Sequence, residues 1–302
     1  MSISAHRVKK WFLMLTGKSL LHVNQDIGKC FSVKNLEGYY NNFTEKVTKE
    51  PELLETEKLP VVKTDDGREV VFPVAIFQYG LGAYDLFLQT KDDKYLYKFS
   101  QCVEWASENM LDNGAWDNFS HIYPDNPYGA MAQGEGVSLL ARGYKEFGNQ
   151  LYFQQCRKAV DFMLRSVDDG GTTLYDDGNV VLLEYALKSP VLNGWIFALW
   201  GLYDWVIISG ESNALQLYSA TLESLVKFLP RFSCRYWSMY DLDGKITSPF
   251  YHRLHIAQLQ AMYAITRLEI FDEYAKKWDG YLNHPIKKIR AFVKKAWQKV
   301  VE

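Results

Sequence analysis

The sequence predicts a mainly α protein: an (α/α) barrel, or toroid, of about four helical hairpins. β-Hairpins occupy the loops at one end, and a small N-terminal region of β and irregular structure precedes the helices. Three observations predict it. From Pro73 onward apolar residues step by three and four, as one face of a helix does, beginning with Val74, Phe77, Leu81, Tyr84 and Leu88. The rows recur, so that Tyr84, Tyr144, Tyr203 and Tyr263 stand at intervals of 60, 59 and 60 residues. After each row comes a break and a second helical stretch. A lone hairpin cannot bury its apolar face, so the four must stack as a superhelix or a closed ring.

In chain order, residues 1–72 form an N-terminal arm and β-hairpin region, and residues 73–302 form the barrel. The opening MSISAHRVKKWFLMLTG has basic residues but only a short apolar run, Trp11 to Leu15. It shows no small-residue cleavage site and no span long enough for a bilayer. We expect an amphipathic arm, solvated or in peripheral contact with a membrane surface. Gly38 to Asn42 (GYYNN) predicts a turn, and Glu45 to Lys58 is charged and expected on the surface. VVKTDDGREVVF, Val61 to Phe72, gives two β-prone runs about Asp66-Gly67. The second helices of the four repeats are expected over Lys94–Met110, Gln150–Leu164, Ala214–Leu229 and Phe271–Leu282. Residues 112–128, 168–190 and 231–250 are long connections rich in Gly, Asp, Tyr and Pro, two of them with a hairpin turn, at Asp177-Gly178 and Asp243-Gly244. All three enter the first helix of the next repeat, so they cluster at one end, where long loops on a rigid scaffold carry function. The tail from Pro285 is one more amphipathic helix with a basic face, solvated or in contact with an acidic glycan or membrane.

Composition excludes some classes of function. A chain of 302 residues, 48% apolar with net charge −2, can bury a large core and lacks the basic footprint of a nucleic-acid binder. Its four cysteines are scattered, with no CxxC and no Cys/His spacing. This argues against a disulfide framework or zinc site and for a reducing compartment. Nine Trp and twenty Tyr suit either an aromatic core or a sugar-binding groove. Two glycosylation sequons, at Asn42 and Asn118, carry little weight where no signal peptide is legible.

Chemistry-bearing residues gather in the predicted loops. Between Tyr236 and Met262, Tyr240 precedes the Asp243-Gly244 turn, and Tyr251, His252, Arg253 and His255 open an apolar helix after Pro249. Arg and His can neutralise an anion while a tyrosine moves protons, so the set suggests an acidic substrate. The same end should gather Tyr128, Gln133 and Glu135 from NPYGAMAQGEG, Glu184 and Tyr185 from LLEY, and Asn193 from VLNGW.

The blocks AMAQGEGVSLLARGY, EY followed by SPVLNGWIFALWGLYD, MYDL, and YHRLHIAQLQ resemble the C-terminal catalytic domain of D-glucuronyl C5-epimerases. These enzymes convert glucuronate to iduronate in heparan-type polymers. The blocks stand in the family's order across residues 127–263, and NGAW at 113–116 extends the match to Trp116. The resemblance implies an (α/α) barrel preceded by β structure, and acid/base groups at Glu184, Tyr185, Tyr240 and Tyr251. It also raises the expectation of a homodimer. Animal members carry Arg directly after Y-D-L. Asp243 stands here, which counts against an N-sulfated polymer and leaves Arg253 to grip the uronate.

The chemistry asks for such residues independently. Removing the C5 proton of a uronate loads charge onto its carboxyl oxygens, which donors such as His252, Arg253, His255 or Gln133 would stabilise. Inversion needs a group on each face, and Glu184 against Tyr251 is the expected pair, assisted by Tyr240 and Tyr185. A basic tyrosine needs a cation to lower its pKa, and the His-Arg-His cluster is expected to supply it. No metal or nicotinamide is needed, and the sequence holds neither a P-loop nor a GxGxxG. The expected partner is heparosan or another uronate polysaccharide, processed by a compact bacterial protein in the cytoplasm, at the inner face of the membrane. Three rivals stay open. A uronate lyase would expel the C4 oxygen from the same carbanion, a glycosidase would need a second facing carboxylate, and a glycan-binding relative would keep the groove without turnover.

Overall fold

The structure, a computed structural model, describes residues 23–64 and 67–301, with side chains through residue 298. The arm expected at the N-terminus and the turn residue Asp66 lie outside the described residues. After a short helix α1 (Thr44–Thr48), β1 (Val62–Lys63) pairs antiparallel with β2 (Glu69–Val70). Eight helices then form four antiparallel pairs: α2 (Pro73–Thr90) with α3 (Asp93–Glu108), α4 (Ala130–Phe147) with α5 (Gln150–Met163), α6 (Leu192–Ser209) with α7 (Ser212–Phe228), and α8 (Pro249–Thr266) with α9 (Glu269–Leu282). A last helix, α10 (Pro285–Val301), follows. The pairs pack as an (α/α) toroid with α2, α4, α6 and α8 on the inside.

One local device sets the repeat. Each inner helix ends on a left-handed residue, Lys91 (φ 57°), Gly148 (68°), Gly210 (65°) and Arg267 (59°), whose N–H bonds the carbonyl four residues back. The next residue is already the N-cap of the outer helix, so every hairpin turns within two residues. Asp92 and Asn149 do this with side chains that accept from the amides of Lys94 and Leu151. Tight turns at one end leave the long connections at the other, as the sequence predicts. The connection before α6 holds the hairpin β3 (Thr173–Asp176) and β4 (Asn179–Leu182), with Asp177 and Gly178 both at positive φ, the primed-turn geometry. The turn expected at Asp243-Gly244 also forms. Its flanks make only isolated bridges, such as Met239 with Ile246, rather than strands.

Where α4 meets α6 the backbones touch. A Cβ on Gly201 would lie 2.4 Å from the Cα of Gly134, so larger residues there would force the helices apart. The N-terminal segment departs from its expected character. Tyr39 and Tyr40, expected in a turn, are wholly buried beside Trp200 of α6, with ring centroids 5.8 and 5.2 Å away. Phe43 lies against Phe197. The segment is clamped as well as packed. Arg142 of α4 donates to the carbonyls of Glu37 and Gly38 and pairs with Asp204 of α6 at 2.6 Å, and Asp204 also accepts from the Tyr40 hydroxyl at 2.6 Å. A buried ion pair of this kind is tolerable because every charge has hydrogen-bonding partners. The charged stretch from Glu45 begins in α1, where Lys46 and Val47 are buried.

Candidate active site

The N-terminal ends of all four inner helices converge on a cleft of about 290 Å³. Val74, Ala75 and Gln78 of α2, Met131 of α4, Asn193 and Phe197 of α6, and Phe250, Tyr251 and Leu254 of α8 line it. The connections add Phe72, Asn118, Phe119, Glu184 and Tyr185, and the N-terminal segment adds Gln25 and Lys46.

Glu184 is placed by the chain on both sides of it. β4 leads into Leu183, whose N–H donates to Thr172 and whose carbonyl accepts from Ala130 at the start of α4. Gly129 and Gly194 make room. A Cβ on Gly129 would sit 1.9 Å from the Glu184 carbonyl oxygen, and one on Gly194 would sit 2.3 Å from Oε2. The carboxyl therefore rests on the first turn of α6, where Asn193 Nδ2 donates to Oε2 at 3.2 Å. On its other side the Tyr240 hydroxyl donates to Oε1 at 3.5 Å. Burial pushes the Glu184 carboxyl up to about 7, while hydrogen bonds from Tyr185, Tyr240, Asn193 and the Gly194 amide hold it down. At neutral pH it is present in both protonation states.

Three phenols surround it. Tyr251 meets Tyr240 edge to face at 5.4 Å, and Tyr185 lies against Phe119 at 4.6 Å. All three have pKa values raised above the ordinary phenol, first by burial and then by the charge of Glu184, so they are proton donors at neutral pH. This corrects the expectation that a cationic cluster would make Tyr251 a base. Arg253 is exposed and lies outside the cleft lining. His252 is fully buried, stacked on Trp237 at 3.6 Å, and its nitrogens are engaged with Ser238 Oγ and the Trp278 carbonyl. Burial drives its pKa down to about 3. His255 is likewise buried, beside Trp278, and is kept neutral by desolvation.

Of the other predicted binding residues, Asn193 reaches the cleft. Trp116 is a core residue, its indole donating to the Ala106 carbonyl and its ring against Phe77. Tyr128 packs on Phe162, outside the lining. Gln133 is wholly buried behind it, and Glu135 accepts from Gln78 Nε2 at 2.8 Å from beneath. Glu135 still bears on the site, because burial raises it to about 8 and the nearby Lys46 counters that rise. Lys46, Gln78 and Asn118 are lining residues that the sequence reading missed. Lys46 is the basic one among the lining residues, lowered to about 8 by burial and still protonated at neutral pH. A carboxylate within AMAQGEG, a segment with no other charged residue, signals that a buried partner must exist, though spacing cannot name it.

Fold and cleft together define an (α/α) toroid with a cleft, lined by ionisable groups, where its inner helices begin. Sequence comparison narrows this. Residues 117–280 match the family model described as the D-glucuronyl C5-epimerase C-terminus, and the chain belongs to that family. It is 29% identical over 218 residues to a D-glucuronyl C5-epimerase of Caenorhabditis elegans, covering 63% of this chain and 35% of the relative. It is 32% identical over 156 residues to an uncharacterised protein of Methanocaldococcus jannaschii, covering 50% and 51%. The chain thus spans between about a third and about half of these relatives' lengths. Among solved structures, the unsaturated glucuronyl hydrolase of Bacillus sp. GL1 aligns over 82% of this chain and 66% of its own, at 14% identity and a TM-score of 0.46.

Proposed function

We propose that the protein inverts C5 of D-glucuronate residues to L-iduronate within a heparosan-like or other uronate-containing polysaccharide. The observation that carries this reading is the convergence of the Glu184 carboxyl, poised near neutrality, with Tyr185 and Tyr251 in the lining of one cleft, and with Tyr240 bonding Glu184 from outside that lining. Glu184, as carboxylate, takes the C5 proton, and the electrons of the C–H bond pass into the substrate carboxyl group as an enediolate. Tyr251, as phenol, delivers its proton to the opposite face of C5. Glu184 is then an acid and Tyr251 a phenolate, and the proton returns through Tyr240, which bonds one and packs on the other.

Charge on the enediolate is met by what faces it. Four helix N-termini point toward the cleft, so their dipoles place positive potential there. Lys46 is suited to bind the uronate carboxylate, the role expected of Arg253 from sequence.

The test is magnetic resonance of heparosan incubated with the protein in heavy water. Deuterium at C5 together with iduronate signals, on an uncleaved chain, is the expected result. An ultraviolet-absorbing unsaturated product would make the protein a lyase, and binding without exchange would make it a non-catalytic relative.

A further inference from the structure

We propose that α10 docks the protein onto an anionic bilayer surface, lying in the plane of the membrane. Amphipathic helices of globular proteins turn their apolar stripe inward, and α10 does the reverse. Ile286, Ile289, Val293 and Trp297 lie on one face and are 72, 64, 61 and 57% exposed, with Phe292 beside them at 46%. The orientation is fixed by what the other side does. Ala291 is buried, and the Gln298 side chain accepts from the Ile246 amide at 3.0 Å and donates to the Gly244 carbonyl at 2.9 Å. Arg290 lies 4.1 Å over the Tyr236 ring. The apolar face therefore cannot roll inward without breaking these contacts.

The charge pattern names the occupant. Residues 285–302 carry six Lys or Arg and one Glu, in a chain whose net charge is −2. Of these, Lys288, Arg290 and Lys294 are exposed along the flanks of the stripe. A lipid surface with acidic headgroups answers both features at once: acyl chains take the stripe while headgroups take the ammonium and guanidinium groups. A second copy meeting α10 across a two-fold axis would set these basic rows against each other. A polyanionic glycan would satisfy the charges and leave the stripe wet. No described helix is long and apolar enough to cross a membrane, in keeping with a helix that lies on one.

The experiment is co-sedimentation of the full chain with phosphatidylglycerol-rich vesicles and with pure phosphatidylcholine vesicles, alongside sedimentation velocity without lipid. The wild type is expected to pellet with the acidic vesicles, weakly with the neutral ones, and less as salt is raised. The triple substitution Ile289→Ser, Val293→Ser, Trp297→Ser removes only exposed side chains, so its thermal melt should match the wild type. It should bind at least about tenfold more weakly. Lys288→Ala and Lys294→Ala should each weaken binding about fivefold. Three outcomes would overturn the proposal: no binding to acidic vesicles; equal binding by the triple variant, which would leave charge alone as the cause; or a wild-type dimer in solution that the triple variant makes monomeric.

Discussion

Replacing Glu184 by Gln should abolish turnover and yet make the protein more stable in alkali. In the native state burial raises the carboxyl from 4.5 to about 7, so the folded protein holds this proton more tightly than the unfolded chain does. For an acid raised in this way, stability is fully present below the unfolded pKa. It falls as pH climbs from there to the folded value and is level above it. A rise of that size corresponds to about 3 kcal/mol lost from the wild type across this window. Gln keeps the shape and an acceptor oxygen for Tyr240 but never ionises. The assay is urea unfolding of both proteins at pH 5 and again above pH 8, with the stability difference compared between the two conditions. The difference should move in favour of the variant by about 2.5 kcal/mol between these two conditions, with a further small part from Glu135, which the Glu184 charge no longer pushes up. C5 exchange in the variant should fall below about one part in a thousand of the wild-type rate. A pH-independent stability difference would refute the claim that this carboxyl is buried and raised, and with it the assignment of Glu184 as a base poised at neutrality.

Other outcomes follow from the same geometry. Gly194→Ala brings a methyl to 2.3 Å from Glu184 Oε2 and must displace the carboxyl, so exchange should drop about a hundredfold in steady-state assays while the melt moves little. Lys46→Met removes the basic group from the cleft lining and keeps its bulk. KM for the uronate polymer should rise about tenfold or more, most clearly at low salt. Arg253→Ala, at an exposed position outside the cleft, should leave both kcat and KM within about twofold of wild type, as surface substitutions usually do. Gly148→Ala meets no atom within 4 Å but must adopt φ 68°, so it should cost about 1 kcal/mol in a denaturant titration through backbone strain alone.

The helical hairpins were legible because their cause is local and repeated. Apolar spacing and a near-constant interval reflect a face that every repeat must bury, so helix boundaries from sequence fall close to those observed, as with Gln150–Met163. The segment around Tyr39 was misread because Gly-Tyr-Tyr-Asn-Asn has the composition of a turn. Its burial depends on Arg142 and Asp204, more than a hundred residues away. At the site, Glu184, Tyr240 and Tyr251 meet because their loops enter neighbouring inner helices, which the repeat foretells. His252 and His255 stand one helical turn and less from Tyr251 in sequence, but their positions on α8 face Trp237 and Trp278. Proximity along a helix does not give a shared face, and burial rather than composition decided their charge.

The clamp on residues 37–43 sets an order of assembly. A chain made from its N-terminus exposes Tyr39, Tyr40 and Phe43 early. Their partners at Phe197, Trp200 and Asp204 emerge only after two thirds of the polymer has been made. Until then the segment has partners on α2 and α4, such as Asp85 and Arg142, but its rings lack their seat on α6. Closure across so long a stretch of backbone is slow, and sticky rings left waiting are what invites association between nascent chains. An early segment and the third repeat are thus bound to one late event, and the inner helices lock together only when Tyr39, Tyr40 and Phe43 find α6.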